Sequence, residues 1–346
     1  MRVMLNFDTL KKLLLFISGI HNHFKFTPVM IAIKLLNMRA VDKLTLQLLE
    51  SIIYSLIIDY RHHVTIDFQI QIQIHSEGFI YTPLHFLAKK NYNLEQFIKY
   101  FEFNTNVKHY RKVVPKSWTF DGQLGENIFP DVYQTLNNVI KDENINHALS
   151  EVITELINNA NEHNDSDCLL DLDITNDYSK HNDPDGTYIG VNISTISFSN
   201  KNMPDLLLEK ITSEKFSGIR YQTVANAYKN HQKFFNSKYN KNDFFMIAVF
   251  QDKISSRNSD NSGGTGLTKL IQTLEEYSDS HECYIFSSNR SMYFVHDLLN
   301  YDDNGWVGFN EERDFKNKPP SLKIFKTNPI ILPGIGYNLN FVWKKG

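Results

Sequence analysis

The sequence predicts an α+β fold in which helices layer on a mixed β-sheet, preceded by a small α/β unit. Three observations predict it. In the first third, apolar residues recur first at helical spacing and then at strand spacing. After a break at residues 115–125, helical segments come first and strand segments follow, the order of a layered α+β unit. The chain of 346 residues is 42% hydrophobic and 13% aromatic, enough for a large core, which excludes wholesale disorder.

The elements follow in order. Residues 13–20 are an apolar run behind Lys11 and Lys12. Asp8 precedes it and no small-residue cleavage site follows, so it reads as an amphipathic or buried helix rather than a signal. Residues 41–60 place Leu44, Leu48, Leu49, Ile52, Ile53, Leu56 and Ile57 at helical spacing. The period then becomes two: Val64, Ile66, Phe68, Ile70, Ile72 and Ile74 alternate with Thr65, Asp67, Gln69, Gln71 and Gln73. That is a strand with one apolar and one polar face, the latter either solvated or an edge for pairing. A helical pattern covers 94–101. The stretch P-K-S-W-T-F-D-G-Q-L-G breaks the periodicity and divides the chain into units 1–120 and 121–346. In the second unit, 132–140 and 144–162 read as helices. Strands are expected at 169–175, 188–199, 244–251, 282–287, 292–296 and 336–343. A polar helical insertion is expected at about 205–242.

Composition narrows the function classes. Lys and Arg total 36 against 39 Asp and Glu, a net charge of −3, so nothing indicates nucleic acid or an anionic membrane as partner. No apolar stretch approaches the roughly 20 residues of a membrane span. Two cysteines, Cys168 and Cys283, fit a reducing, cytoplasmic setting.

Two segments carry chemistry. Residues 155–163 read E-L-I-N-N-A-N-E-H, with Glu155, Asn159 and His163 at i, i+4, i+8 on one helical face. The opposite stripe, Leu149, Val152, Ile153, Leu156 and Ala160, is apolar and suits docking on a sheet. A carboxylate one turn before a carboxamide can serve a metal–nucleotide site, with the Asn oxygen as a hard Mg²⁺ ligand and the Glu beside the attacking water. The same spacing also describes the solvated face of an ordinary amphipathic helix. Clustering Asn158, Asn159 and Asn161 mid-helix weakens that plainer reading, because Asn is a poor helix former. Residues 262–271 read S-G-G-T-G-L-T-K-L-I. A Gly-rich segment feeding a helix N-terminus offers free backbone N–H groups to an anion, with Lys269 adding charge. It is equally a mobile turn and cap. It is not a P-loop, since G-x-x-x-x-G-K-[ST] is missing.

In this order the two segments resemble the GHKL superfamily of Bergerat-fold ATPases, including gyrase B, a heat-shock chaperone, histidine kinases and MutL. E-L-I-N-N-A-N-E-H is similar to the family's N-box, which implies Glu155 as catalytic base and Asn159 as Mg²⁺ ligand. S-G-G-T-G-L is similar to its second glycine box, which implies a phosphate-carrying role for Gly263, Gly264, Thr265, Gly266 and Leu267. F-Q-D-K-I-S-S-R resembles the stretch that opens the lid, bringing in Ser256 and Arg257; His163 and Lys269 complete the nucleotide set. The chain departs from the family at the first glycine box. No Asp-Gly pair follows the strand at 188–199, so Asn200 is the candidate adenine reader, with Asp252 and Asp205 competing. The resemblance implies a GHKL-type layer over 121–346 and Mg²⁺-dependent ATP binding and hydrolysis. It further implies a conformational switch acting on residues 1–120, a protein partner or a second copy. A serine kinase of the anti-sigma kind and an ATP-gated module without turnover stay open.

Overall fold

Short polar side chains close the first turns of several helices. Asn6 and Thr9 form a capping box, Asp42 accepts from Thr45 N at 2.7 Å, and Asn240 and Asp243 form a second box. In chain order the elements of the computed structural model are β1 (Val3–Leu5), α1 (Phe7–Phe24), β2 (Met30–Lys34), β3 (Met38–Ala40) and α2 (Lys43–Ile58). Next come β4 (His63–Asp67), α3 (Leu94–Glu102), β5 (Phe103–Asn106), β6 (His109–Val114), α4 (Ser117–Phe120), α5 (Gln123–Asn137) and α6 (Glu143–His163). β7 (Cys168–Lys180), β8 (Asp183–Phe198), α7 (Met203–Thr212), α8 (Ile219–His231) and α9 (Lys241–Ala248) follow. The last elements are α10 (Gly266–Tyr277), β9 (Tyr284–Tyr293) and β10 (Phe325–Lys344). The structure describes residues 3–25, 27–35, 38–67, 81–120, 123–163, 166–180, 183–199, 203–214, 216–254, 266–278 and 283–344.

A six-stranded sheet in the order β5-β6-β7-β8-β10-β9 organises the molecule, with β10 threaded between β8 and β9. All its pairings are antiparallel. Because side chains alternate across a strand, Leu170, Leu172 and Ile174 of β7 enter one core, with α5, α6, α10 and the helices α7–α9. Leu169 enters a second core on the opposite face, built by α1, α2 and α3. Two short parallel pairs, β1–β3 and β2–β4, frame the second layer.

The second face is unusual along its length. Strand register aligns His109, Asp173, Asn192 and Asn340 in one row across β6, β7, β8 and β10. The next row is Arg111, Asp171, Ser194 and Asn338. The third row turns apolar: Val113, Leu169, Ile196, Gly336 and, on β9, Phe286. All eight residues of the first two rows are buried. Lys43, from the first turn of α2, meets Asp171 Oδ1 at 2.6 Å and Asp173 Oδ2 at 2.5 Å. Arg111 Nη1 joins Glu50 Oε2 at 2.6 Å and Asp171 Oδ2 at 2.8 Å. Asn338 accepts from Leu44 N at 3.1 Å, fastening the start of α2 to the sheet.

Several expectations change. Residues 244–251 were expected as a strand but lie largely in the helix α9, so Asp252 ends a helix-and-turn rather than a strand. Phe244, Phe245, Met246, Ile247 and Ala248 are all buried. An apolar run enclosed on every side carries no periodicity to separate helix from strand, and the Asn240–Asp243 box decides it. The sheet expected to be mixed is antiparallel: helical connections bring β10 back against β8 in the opposite direction. The strands expected at 282–287 and 292–296 are one strand, β9, which ends before His296. Residues 103–114 supply the edge strands β5 and β6 of the large sheet. Of the strand expected at 64–74, β4 accounts for residues to Asp67, and 68–74 lie outside the described residues. The expected insertion contains α7 and α8.

Candidate active site

The site is built on α6. Asp142 accepts from Asn144 N and Ile145 N at 2.9 and 3.2 Å, closing the first turn. Buried Asn146 donates to Ile140 O at 3.0 Å and fixes the α5–α6 corner. Leu149, Val152, Ile153, Leu156 and Ala160 are buried against the sheet, as the apolar stripe requires. This docking turns Glu151, Glu155 and Asn159 to one side. Asn159 is buried and donates from Nδ2 to Glu155 Oε1 at 3.2 Å. Its Oδ1, a hard oxygen donor, is the end of the amide left to accept. The pair thus offers one hard oxygen donor beside a carboxylate, the donor types that a hard divalent cation and a water-activating base use.

The described part of the second segment, from Gly266 on, packs against the same helix. Lys269, in the first turn of α10, meets Glu151 Oε2 at 2.6 Å, one turn before Glu155. Leu267, Leu270, Ile271 and Leu274 are buried and seat α10 in the core. Gly266 is the first described residue of α10. Lys269, expected to add charge for phosphate, is engaged with Glu151. Asn200, Ser256, Arg257, Gly263, Gly264 and Thr265 lie outside the described residues, and His163 is placed only by its backbone in the last turn of α6.

Asp252 sits elsewhere. Its side chain lies against Gly305, where a Cβ would come within 2.9 Å of Asp252 Cβ; with φ +74°, that turn suits glycine alone. Arg220 donates to Asn304 O and Gly305 O at 2.9 and 3.0 Å and covers the Trp306 ring at 4.1 Å. Burial lowers the Arg220 pKa, while the nearby charges of Asp252 and Asp302 oppose that shift. Asp205, in the first turn of α7, is exposed.

Two residues escaped the sequence reading. The Tyr301 hydroxyl donates to Phe250 O at 2.6 Å and also bonds Thr268 in the first turn of α10. It thereby ties together the two chain segments that flank residues 255–265. Tyr337 of β10 lies buried near Glu155 and Cys168, its hydroxyl without a hydrogen-bond partner among the described residues. Burial raises its pKa, and Cys168 and Glu155 add to the rise. Burial likewise pushes the Cys168 thiol up to about 12, so it stays protonated and unreactive at neutral pH. Neither tyrosine belongs to a short motif, so no local signal could have singled it out.

Among the described residues the group of His, Cys, Asp or Glu side chains with the spacing of metal ligands is His109, Asp171 and Asp173. There the Lys43 ammonium already contacts both carboxylates. Among the described residues no helix is long and apolar enough to cross a membrane. Comparison of the chain with protein-family models, curated proteins and solved structures finds no match.

Proposed function

We propose that the chain binds ATP with Mg²⁺ between α6 and the start of α10 and hydrolyses it. The observation that carries this reading is the Lys269–Glu151 ion pair, which brings the N-terminus of α10 against the helical face holding Glu155 and Asn159. The order of an N-box-like helix, a strand pair, a Gly-rich segment and a second helix, similar to GHKL ATPases, supports it further. Asn159 Oδ1 would hold the Mg²⁺, which when bound neutralises phosphate charge. Glu155, oriented by the Asn159 amide, takes the proton of the attacking water. Backbone N–H groups at the start of α10 face the phosphates. Tyr301 keeps the two feet of the Gly-rich segment together while that segment carries the phosphates. The resulting change of state is read by the α1–α2 layer, a protein partner or a second copy.

Calorimetric titration with ATP, with and without Mg²⁺, tests binding, and a phosphate-release assay tests turnover. Asn159→Ala should weaken Mg·ATP binding by about tenfold or more. Glu155→Gln should leave binding intact and lower phosphate release by about 10²-fold or more. Equal ATP affinity without Mg²⁺ would overturn the role of Asn159. Tight binding with no phosphate release in the native chain would replace hydrolysis by nucleotide sensing.

A further inference from the structure

At the apolar third row, α1, α2 and the strands β6, β7 and β8 line a cavity of about 920 Å³. Leu14 and Ile17 of α1, Ile52 and Leu56 of α2, and Leu169 and Ile196 of the sheet form its body. That volume and apolar lining fall in the range of small-molecule pockets, roughly 300–1,000 Å³. The polar groups are one-sided. Asp59, Glu102 and Asp167 line the cavity, and none of its described lining residues is Lys or Arg. Each carboxylate is held in place: Ser55 Oγ donates to Asp59 at 2.6 Å, Tyr54 Oη to Glu102 at 2.5 Å, and Lys116 N to Asp167 at 3.0 Å. The last turns of α1 and α2 also line the cavity, with His21 and Asn22 from one and Leu56 from the other. Helix C-termini carry the negative end of the macrodipole and favour a cation. The Tyr54 ring, stacked on Phe101 at 4.1 Å, adds an aromatic face to the wall.

We propose that this cavity is a binding site for a small amphipathic cation, an apolar or aromatic body bearing a protonated amine or guanidinium. Charge complementarity selects this class: an anionic ligand of the same size would meet three carboxylates and two helix C-termini with no lining lysine or arginine among the described residues. The apolar body displaces water from the leucine and isoleucine walls, and the cation stays at the mouth where the carboxylates are exposed. The site is independent of the nucleotide reading, since it uses the opposite face of the sheet.

The test uses the full chain and 2-(1-naphthyl)ethylamine as probe, with its neutral N-acetyl derivative and 1-naphthylacetate as controls, followed by fluorescence and calorimetry. The amine should bind about tenfold tighter than either control. The surface triple change Asp59→Asn, Glu102→Gln and Asp167→Asn, which removes all three lining carboxylates, should cut that preference to about twofold or less and leave the neutral probe unchanged. Leu14→Trp, at a position 37% exposed and so tolerant of bulk, should block all three probes without lowering the melting temperature. Equal affinity for the three probes, no amine binding up to millimolar concentration, or a full charge preference surviving the triple change would each overturn the proposal.

Discussion

The two faces of the central sheet are built on opposite principles. Toward α6 the strands present Leu170, Leu172, Ile174, Val191, Ile193, Leu339 and Phe341, an apolar wall with the half-buried Lys112 at its β6 side, paired with Asp131 at 3.3 Å. Toward α2 the same strands present two buried rows that include His109, Arg111, Asp171 and Asp173. The apolar wall gives α6 a non-directional seat, and its stability scales with area buried. The polar rows are directional: Lys43 fits between two carboxylates and Arg111 between Glu50 and Asp171, so sliding α2 along the sheet would break these pairs. Buried ion pairs add little net stability over a well-packed apolar substitute, but breaking one leaves an uncompensated charge. One face thus holds the candidate site rigid, while the other fixes where the α1–α2 layer sits.

The largest effect should follow from Lys43→Met, which leaves Asp171 and Asp173 short of a counter-charge and should cost about 3–5 kcal/mol in urea unfolding. Adding Asp171→Asn should recover about 1–3 kcal/mol of that loss, because the pair is coupled. A neutral Lys43→Met would erase the contrast between the faces. On the apolar wall, Leu339→Ala should cost about 3 kcal/mol and combine additively with Lys43→Met, since no contact is shared. Tyr337→Phe sharpens the comparison differently. It removes the one hydroxyl in that wall with no described partner, and should stabilise the chain by about 1 kcal/mol. A loss of stability there would mean that the hydroxyl has a partner after all.

The smallest effect is on pH. Burial alone would raise the Asp171 pKa, but Lys43, Arg111 and His109 outweigh it and hold the group below the carboxylate range. Its stabilisation is therefore present above the unfolded value of about 4 and is lost as pH falls through the depressed folded value. For Lys43, burial lowers and the two aspartates raise, with the rise winning. Its contribution is present below the unfolded value of about 10.4 and is lost as pH rises through the folded value. Glu50 runs the other way, raised by burial, so protonation favours the fold there. Comparing melting temperature against pH for the native chain and Lys43→Met isolates the Asp171 part. The variant should lose the Asp171 part of the acid limb, its stability falling less steeply with acid than that of the native chain, and an unchanged limb would detach Lys43 from Asp171.

The strand at 169–175 was legible, but its two faces, Leu170, Leu172 and Ile174 against Asp171 and Asp173, went unread. That the polar side is buried was not legible, because its partner Lys43 lies 130 residues from Asp173 in sequence. The same limit hid Tyr301, whose bonds join segments that only the fold brings together. Glu155 and Asn159 were legible because one helical turn relates them, and their 3.2 Å contact follows from spacing alone. The α9 misreading has the reverse cause: a segment buried all round carries no pattern, and its helical start rested on one Asn–Asp box.

The placement of β10 bears on how the chain acquires its shape. This strand lies inside the sheet, with Gly334 opposite Phe198 and Lys344 opposite Tyr188, so its pairing spans more sequence than any hairpin in the molecule. Contacts that distant form late, because loop closure must precede them. Until β10 docks, β8 and β9 each show an open edge beside apolar side chains. Such edges recruit other chains. The interval before β10 arrives is thus the period of greatest aggregation risk, and changes that slow its insertion will lower soluble yield before they alter the finished fold.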